Sequence, residues 1–274
     1  MGERVMVTGL GVNSAIGGDV REFMESLIAG KSGVNAIKRF DPTGYRTGFA
    51  AEIQDLQIPA ELAKYDRCLQ LILDTANQAV TDSKINWAEV DRQRVGVTIA
   101  TSLGCVDRLE HYIKLKLSGE EVKGTGDLAL IPHCVPSSTV ARRYQLTGPV
   151  IAVDTACASG SNSIGYGYDL IRNGRCDLVI AGGVDVLSTL SFSGFSGMMN
   201  LTKTICRPFN QERTGLVIGE GSAVVILESL AAAQRRNAHL YGEILGYGLS
   251  NDAFHETKPD PDAKGAIMAM RSAL

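Results

Sequence analysis

One cysteine in the chain stands in a setting that suits a nucleophile. Cys157 lies in the run Val153-Asp154-Thr155-Ala156-Cys157-Ala158-Ser159-Gly160, where a short β-branched segment gives way to a helical pattern. Small residues on both sides allow a sharp strand-to-helix turn that lifts a side chain out of a sheet, the mechanical logic of the nucleophile elbow. A thiol at that point faces the positive end of a helix macrodipole, which favours thiolate over thiol. The Cys157 N–H, one of the unpaired donors of a helix start, is placed to donate to the oxyanion formed when a thiol attacks a thioester carbonyl. A buried structural cysteine is the ordinary alternative, and it is the state expected of Cys68, Cys105, Cys134, Cys176 and Cys206.

The elements that must hold this turn follow from periodicity. Val150 to Val153 reads as a compact strand, and Ser159 to Arg172 as a helix with Ile164, Tyr168 and Ile171 on one stripe, stopped by Gly174 and followed by the strand Leu178 to Ala181. Upstream, Val5-Met6-Val7 leads into Gly9 and Gly11 as a strand and loop, after which Asp19 caps a helix ending at Gly30. Helical spacing covers residues 66 to 83, the stretch around His111, and Ser137 to Tyr144, with a buried strand at Val95 to Ala100. Downstream, strands are expected at Ser222 to Leu227 and Leu240 to Leu245, separated by an Ala-rich helix over 229 to 236, and Asp262 to Leu274 has helical spacing. This alternation predicts an α/β layered fold with a mainly buried sheet. The stretch from about 118 to 133 reads as a mobile loop or insertion.

Composition narrows the function classes. With 274 residues and 45% hydrophobic content, the chain can bury the core of one large domain or two small ones. Lys and Arg total 27 against 30 Asp and Glu, a net charge of −3, which disfavours nucleic acid and membrane surfaces as partners. No apolar run approaches the roughly 18 to 20 residues of a spanning helix, and the N-terminus lacks signal-peptide character, so a soluble, cytoplasmic protein is expected. The cysteines form no CxxC pair, which suits reduced thiols and offers no metal-site spacing. Gly9-Leu10-Gly11 follows a strand, but Ser14 stands where a dinucleotide fingerprint needs its third glycine, and there is no P-loop. No cofactor is expected.

The block Asp154 to Gly160 resembles the active-site segment of the elongating β-ketoacyl-acyl-carrier-protein synthases of fatty acid and type II polyketide synthesis. Other blocks agree in order: Val7 to Gly11, Phe40-Asp41-Pro42, Val135-Pro136-Ser137-Ser138, Gly148-Pro149, Ala181 to Asp185, Arg207 to Asn210, Gly219-Glu220-Gly221 and Ser250 to His255. The resemblance covers essentially the whole chain. It implies a thiolase-like fold of helix, sheet, helix, sheet and helix layers, with residues 1–228 as the N-terminal half and 229–274 as the start of the second. It also implies a dimer, of identical or related chains, working with an acyl carrier protein that delivers acyl and malonyl thioesters. Cys157 takes the role of acyl acceptor by position, Phe195 matches an aromatic near the pocket, and His255 lies in a block that faces substrate.

The resemblance departs at one point. The family stabilises the enolate formed on decarboxylation with two histidines, in a His-Gly-Thr and a Gly-His block, and a nearby lysine; none of these motifs is present in the sequence. The chain is therefore expected to be the N-terminal portion of a ketosynthase, acylated at Cys157 but unable alone to decarboxylate a malonyl thioester. His111, His133 and His239 are expected to be surface or core residues. Leu103, Cys105, Val106, His133 and Cys134 suit either channel lining or core. Three alternatives remain open: another thiolase-fold enzyme using coenzyme A thioesters, one subunit of a ketosynthase and chain-length-factor pair, and, much less favoured, an α/β-hydrolase drawing on Asp185 with His239 or His255.

Overall fold

A computed structural model describes residues 2–120, 128–256 and 258–274. In chain order the elements are β1 (Val5–Ser14), α1 (Val20–Ile28), β2 (Asn35–Ala36), β3 (Phe49–Ala50), α2 (Arg67–Ser83), β4 (Val95–Ala100), α3 (Val106–Ser118), α4 (Val135–Arg143), β5 (Val150–Val153), α5 (Ser159–Arg172), β6 (Leu178–Asp185), α6 (Thr189–Gly197), β7 (Gly221–Ser229), α7 (Leu230–Arg235), β8 (Gly242–Ile244) and α8 (Lys264–Ala273). Six strands form one sheet in the order β5-β4-β6-β7-β1-β8. β4 runs parallel to β5 and β6, whereas β7 is antiparallel to β6 and to β1. The expected stretch at 118–133 divides: α3 runs to Ser118, a short 3₁₀ turn covers Leu128–Leu130, and 121–127 lie outside the described residues.

The central strands β4 and β6 are buried on both faces, as their apolar runs require. Every residue of β4 is buried. Along β6 the side chains alternate, so that Leu178 and Ile180 pack with α2 and α4 on one face and Val179 and Ala181 with α5 on the other. α2 is buried through Leu69, Leu71, Ile72, Leu73, Ala76 and Ala79, each larger side chain contributing about 1.5–3 kcal/mol by leaving water. α5 is covered twice. Ser163 reaches into the sheet, accepting from Gly182 N–H at 3.1 Å and donating to the Thr98 carbonyl, while the segment after β8 crosses the far side, where Tyr247 Oη donates to Asn162 Oδ1 at 2.8 Å. β8 itself, past the expected boundary at residue 228, pairs with β1.

At β1 the structure corrects the sequence reading. Gly9 and Gly11 do not form a loop but sit inside β1. A Cβ on Gly9 would lie 2.3 Å from the Ala79 carbonyl oxygen, and one on Gly11 2.2 Å from that of Thr75. The glycines are there because α2 lies directly on the strand, a close backbone approach that a strand glycine permits. Residues 189–197, unassigned by periodicity, form α6, capped by Ser188 Oγ accepting from Ser191 N–H.

Candidate active site

Parallel strands present their carboxyl ends together, and in open α/β sheets that is where sites form. Ala100 is in register with Val153 of β5 and Gly183 of β6, so the chain leaving β4, β5 and β6 emerges on one side of the molecule. Three segments meet there: 101–105, 154–158 and 186–188. Gly221 pairs with Asp185 and with Ser14, which brings Glu220 to the same end.

Cys157 is exposed on the turn between β5 and α5. Residues Ala156–Ala158 form a 3₁₀ turn, and Ala156 takes φ +50°, a left-handed conformation unusual for alanine. This is the bend expected from the run of small residues. It places Cys157 two residues before the 14-residue α5, and its N–H donates to no acceptor among the described residues. The turn is braced internally: Thr155 N–H donates to Ser159 Oγ at 2.6 Å and Asn162 Nδ2 to Thr155 Oγ1 at 2.7 Å. Through Asn162, Tyr247 belongs to the same brace.

Two carboxylates organise the surroundings. Asp185, the last residue of β6, binds the 101–103 segment. Its burial pushes the carboxyl above the ordinary range, and the charge of Asp154 adds to this, against the bonds from Thr101, Ser102 and Leu103. Glu220 is buried against Arg67, with contacts of 2.6 and 3.1 Å, and also accepts from Ile53 N–H and Leu187 N–H. One side chain thus ties the start of α2 to the chain leaving β6. Neither network was visible in the sequence, because its members lie many tens of residues apart; only the glycines around Glu220 marked the position.

His133 was expected to be a surface or core residue. It is partly exposed, and its Nδ1 lies 2.9 Å from Asp154 Oδ2, three residues before Cys157. Its ring also backs the 101–105 segment, Cδ2 lying 3.2 Å from where a Cβ on Gly104 would stand. Phe195 lies in α6, partly buried against the satellite core of Ile37, Leu187, Phe192 and Leu201. In that cluster Phe192 is fully buried and meets Phe40 and Tyr45 edge-on at 5.4 and 5.2 Å. His255 is exposed on the segment between β8 and α8. There Asp252 accepts from the N–H groups of Asp260 and Phe254, bonds that hold its carboxyl below the usual range.

The other cysteines divide. Cys68, Cys105 and Cys176 are buried as expected, but Cys134 and Cys206 are exposed. Cys134 precedes α4 at its surface, and Cys206 lies on the exposed stretch 203–214, which no strand covers. Asp66, Cys68 and Cys105 bring three ligand atoms within 4.8 Å of one another, all buried, the one such group among the described residues. Its chemistry favours thiols over a metal: the hydrogen bond with Cys105, and after it burial, drives the Cys68 thiol well above its usual range, while Arg108 stands 3.7 Å from Asp66. A cation there would have to displace two buried protons beside a guanidinium.

The chain as a whole is similar to known proteins. Residues 2–233 match the model of the beta-ketoacyl synthase N-terminal domain. A 3-oxoacyl-(acyl-carrier-protein) synthase 2 of Coxiella burnetii is 37% identical over 99% of this chain and 69% of its own length. The ketoacyl synthase alpha subunit of the tetracenomycin polyketide synthase of Streptomyces glaucescens is 36% identical over 99% of this chain and 68% of its own. Among solved structures, the ishigamide ketosynthase/chain length factor superimposes with a TM-score of 0.92 at 34% identity, covering 100% of this chain and 70% of that one. A thiolase-like layered fold, an exposed cysteine on a small-residue turn and these likenesses lead to one assignment: the chain belongs to the beta-ketoacyl synthase family.

Proposed function

We propose that Cys157 is the acyl acceptor of a decarboxylative Claisen condensation in fatty acid or type II polyketide synthesis. The observation that carries this reading is the position of the exposed thiol, held by a left-handed Ala156 where β5 ends and α5 begins. An acyl chain arrives as a thioester of an acyl carrier protein. The Cys157 sulfur attacks its carbonyl, the tetrahedral oxyanion takes the Cys157 N–H as donor, and collapse expels the carrier thiol, which receives the proton lost by Cys157. Loss of CO₂ from a malonyl thioester, a step whose two histidine blocks this sequence lacks, then leaves a carbanion that attacks the acyl-enzyme and frees the sulfur. Phe195 and His255 are assigned to the substrate side of this site, and the protein to the cytoplasm; no described helix is long and apolar enough to cross a membrane. The partner is a second copy or a related chain, and the outer edge of β5, which pairs with no other strand among the described residues, supports that association.

The test is intact mass and peptide mapping after incubation with an acyl-carrier thioester, beside the matching coenzyme A thioester. A single adduct on Cys157, formed faster from the carrier and absent in Cys157→Ala, is expected. Because Cys134 and Cys206 are also exposed, an adduct on either of them in place of Cys157 overturns the assignment.

A further inference from the structure

Asp185 ends β6, yet its carboxylate serves the chain that leaves β4. Oδ1 accepts from Thr101 Oγ1 at 2.9 Å, from Ser102 N–H at 3.0 Å and from Leu103 N–H at 3.2 Å, and Oδ2 takes a second contact from Ser102 N–H at 3.3 Å. The Thr101 hydroxyl accepts in turn from Gly104 N–H at 2.8 Å. The segment so held touches the nucleophile turn at both ends: Thr101 N–H donates to the Val153 carbonyl at 3.2 Å, and Ser102 Oγ lies 3.5 Å from the Ala156 carbonyl oxygen. One carboxylate therefore reaches the last residue of β5 and the residue before Cys157 through a single short segment.

The geometry points to Asp185 as a positioning residue: it fixes 101–104, and through that segment it fixes Ala156 and the direction of the Cys157 sulfur and N–H. This rests on Cys157 being the acyl acceptor. Stability alone does not account for a charged group at this place. Burial and Asp154 raise the Asp185 carboxyl above its unfolded value, so its contribution to stability is present below the unfolded value and lost as pH rises through the folded one. At neutral pH the charge costs stability. It gains four contacts on one segment; an amide with its carbonyl oxygen in the Oδ1 place keeps three of them, but its NH₂ then meets the Ser102 N–H where Oδ2 accepted. The groups that face the carboxylate electrostatically are Asp154 on the nucleophile turn and the Cys68 thiol of α2.

The experiment compares Asp185→Asn with the parent, as the assembled full-length protein, in acyl transfer from an acyl-carrier thioester well below the melting midpoint of each. The expected result is a rate at saturating donor lower by about 10- to 100-fold, the size of effect that a misplaced reacting group produces, with the half-saturating donor concentration within about twofold. The parent's rate should fall as pH drops through the raised Asp185 value, and the variant should lack that limb. A folded variant with the parent's rate and pH profile overturns the inference, as does a loss that only tracks melting. Should Asp185→Asn fail to fold, Thr101→Val decides: it removes one donor, so a smaller loss in the same direction is expected, and the parent's rate overturns the inference. Cys157→Ala separates the two claims, since acylation surviving in that variant removes the nucleophile, whereas its loss beside an unaffected Asp185→Asn removes only the positioning role.

Discussion

The Glu220 side chain is fully buried, and its partner Arg67 keeps only 18% of its side chain exposed. A carboxylate in such a place is tolerated because a guanidinium and two backbone N–H groups meet it. Arg67→Met removes the cation and leaves the charge, so unfolding in urea should show a loss of about 3–5 kcal/mol, the usual cost of breaking a buried pair. Arg143 and Glu61 form a control at 41% and 60% exposure, where Arg143→Met should change stability by under about 1 kcal/mol. Equal, small losses in both variants would show that the Glu220 network is not what ties α2 to the site. At this scale the sequence reveals only groups whose neighbours in the chain are also their neighbours in space. The small residues around Cys157 announce the turn because the turn is local. The His133 contact with Asp154 spans 21 residues and the Arg67 contact with Glu220 spans 153, so no spacing rule reaches either, and the exposure of Cys134 and Cys206 is likewise set by what fails to pack over them.

At the scale of elements, the contact of β1 with α2 has the least slack. The two glycines in β1 let the helix backbone come within reach of the strand, and Asn13 Nδ2 closes the contact on Asp74 and Thr75 at 2.8 and 3.0 Å. A methyl at residue 11 meets the Thr75 carbonyl rather than a flexible side chain, and backbone cannot step aside cheaply. Gly11→Ala should therefore destabilise by about 1–3 kcal/mol, the range for overpacking, while Gly242→Ala, where a Cβ meets nothing within 4 Å, should be close to neutral. A urea midpoint at residue 11 as unmoved as that at 242 would mean the helix can lift from the strand. Periodicity located α2, α5 and the central strands because each buries a repeating face. It misplaced Gly9 and Gly11 because a glycine at a helix–strand contact and a glycine in a turn look alike in one dimension. It passed over α6 because Thr189–Gly197 carries apolar residues on no single side, and only Phe192 is buried.

For the whole molecule, the decisive surface is the outer edge of β5. The sheet order ends there, and Val150-Ile151-Ala152-Val153 carries no charge and no proline, the devices that usually keep an edge from pairing. Val150 is 41% exposed. At the other end of the sheet, β8 is only three residues long, so the two edges are not equivalent. An isologous contact about a two-fold axis would pair β5 with its counterpart and join two sheets into one. It would also bring the partner beside Asp154 and Cys157, since β5 runs directly into the nucleophile turn, so the site and the interface should fail together. Ala152→Asp, placing a charge on an exposed position of this strand, should halve the mass measured by sedimentation equilibrium and lower the rate of Cys157 acylation, while a similar charge on the exposed Leu117 of α3 should do neither. A mass unchanged by Ala152→Asp would show that the β5 edge is not the interface, and a halved mass with acylation intact would show that a single chain holds the Cys157 turn in working order.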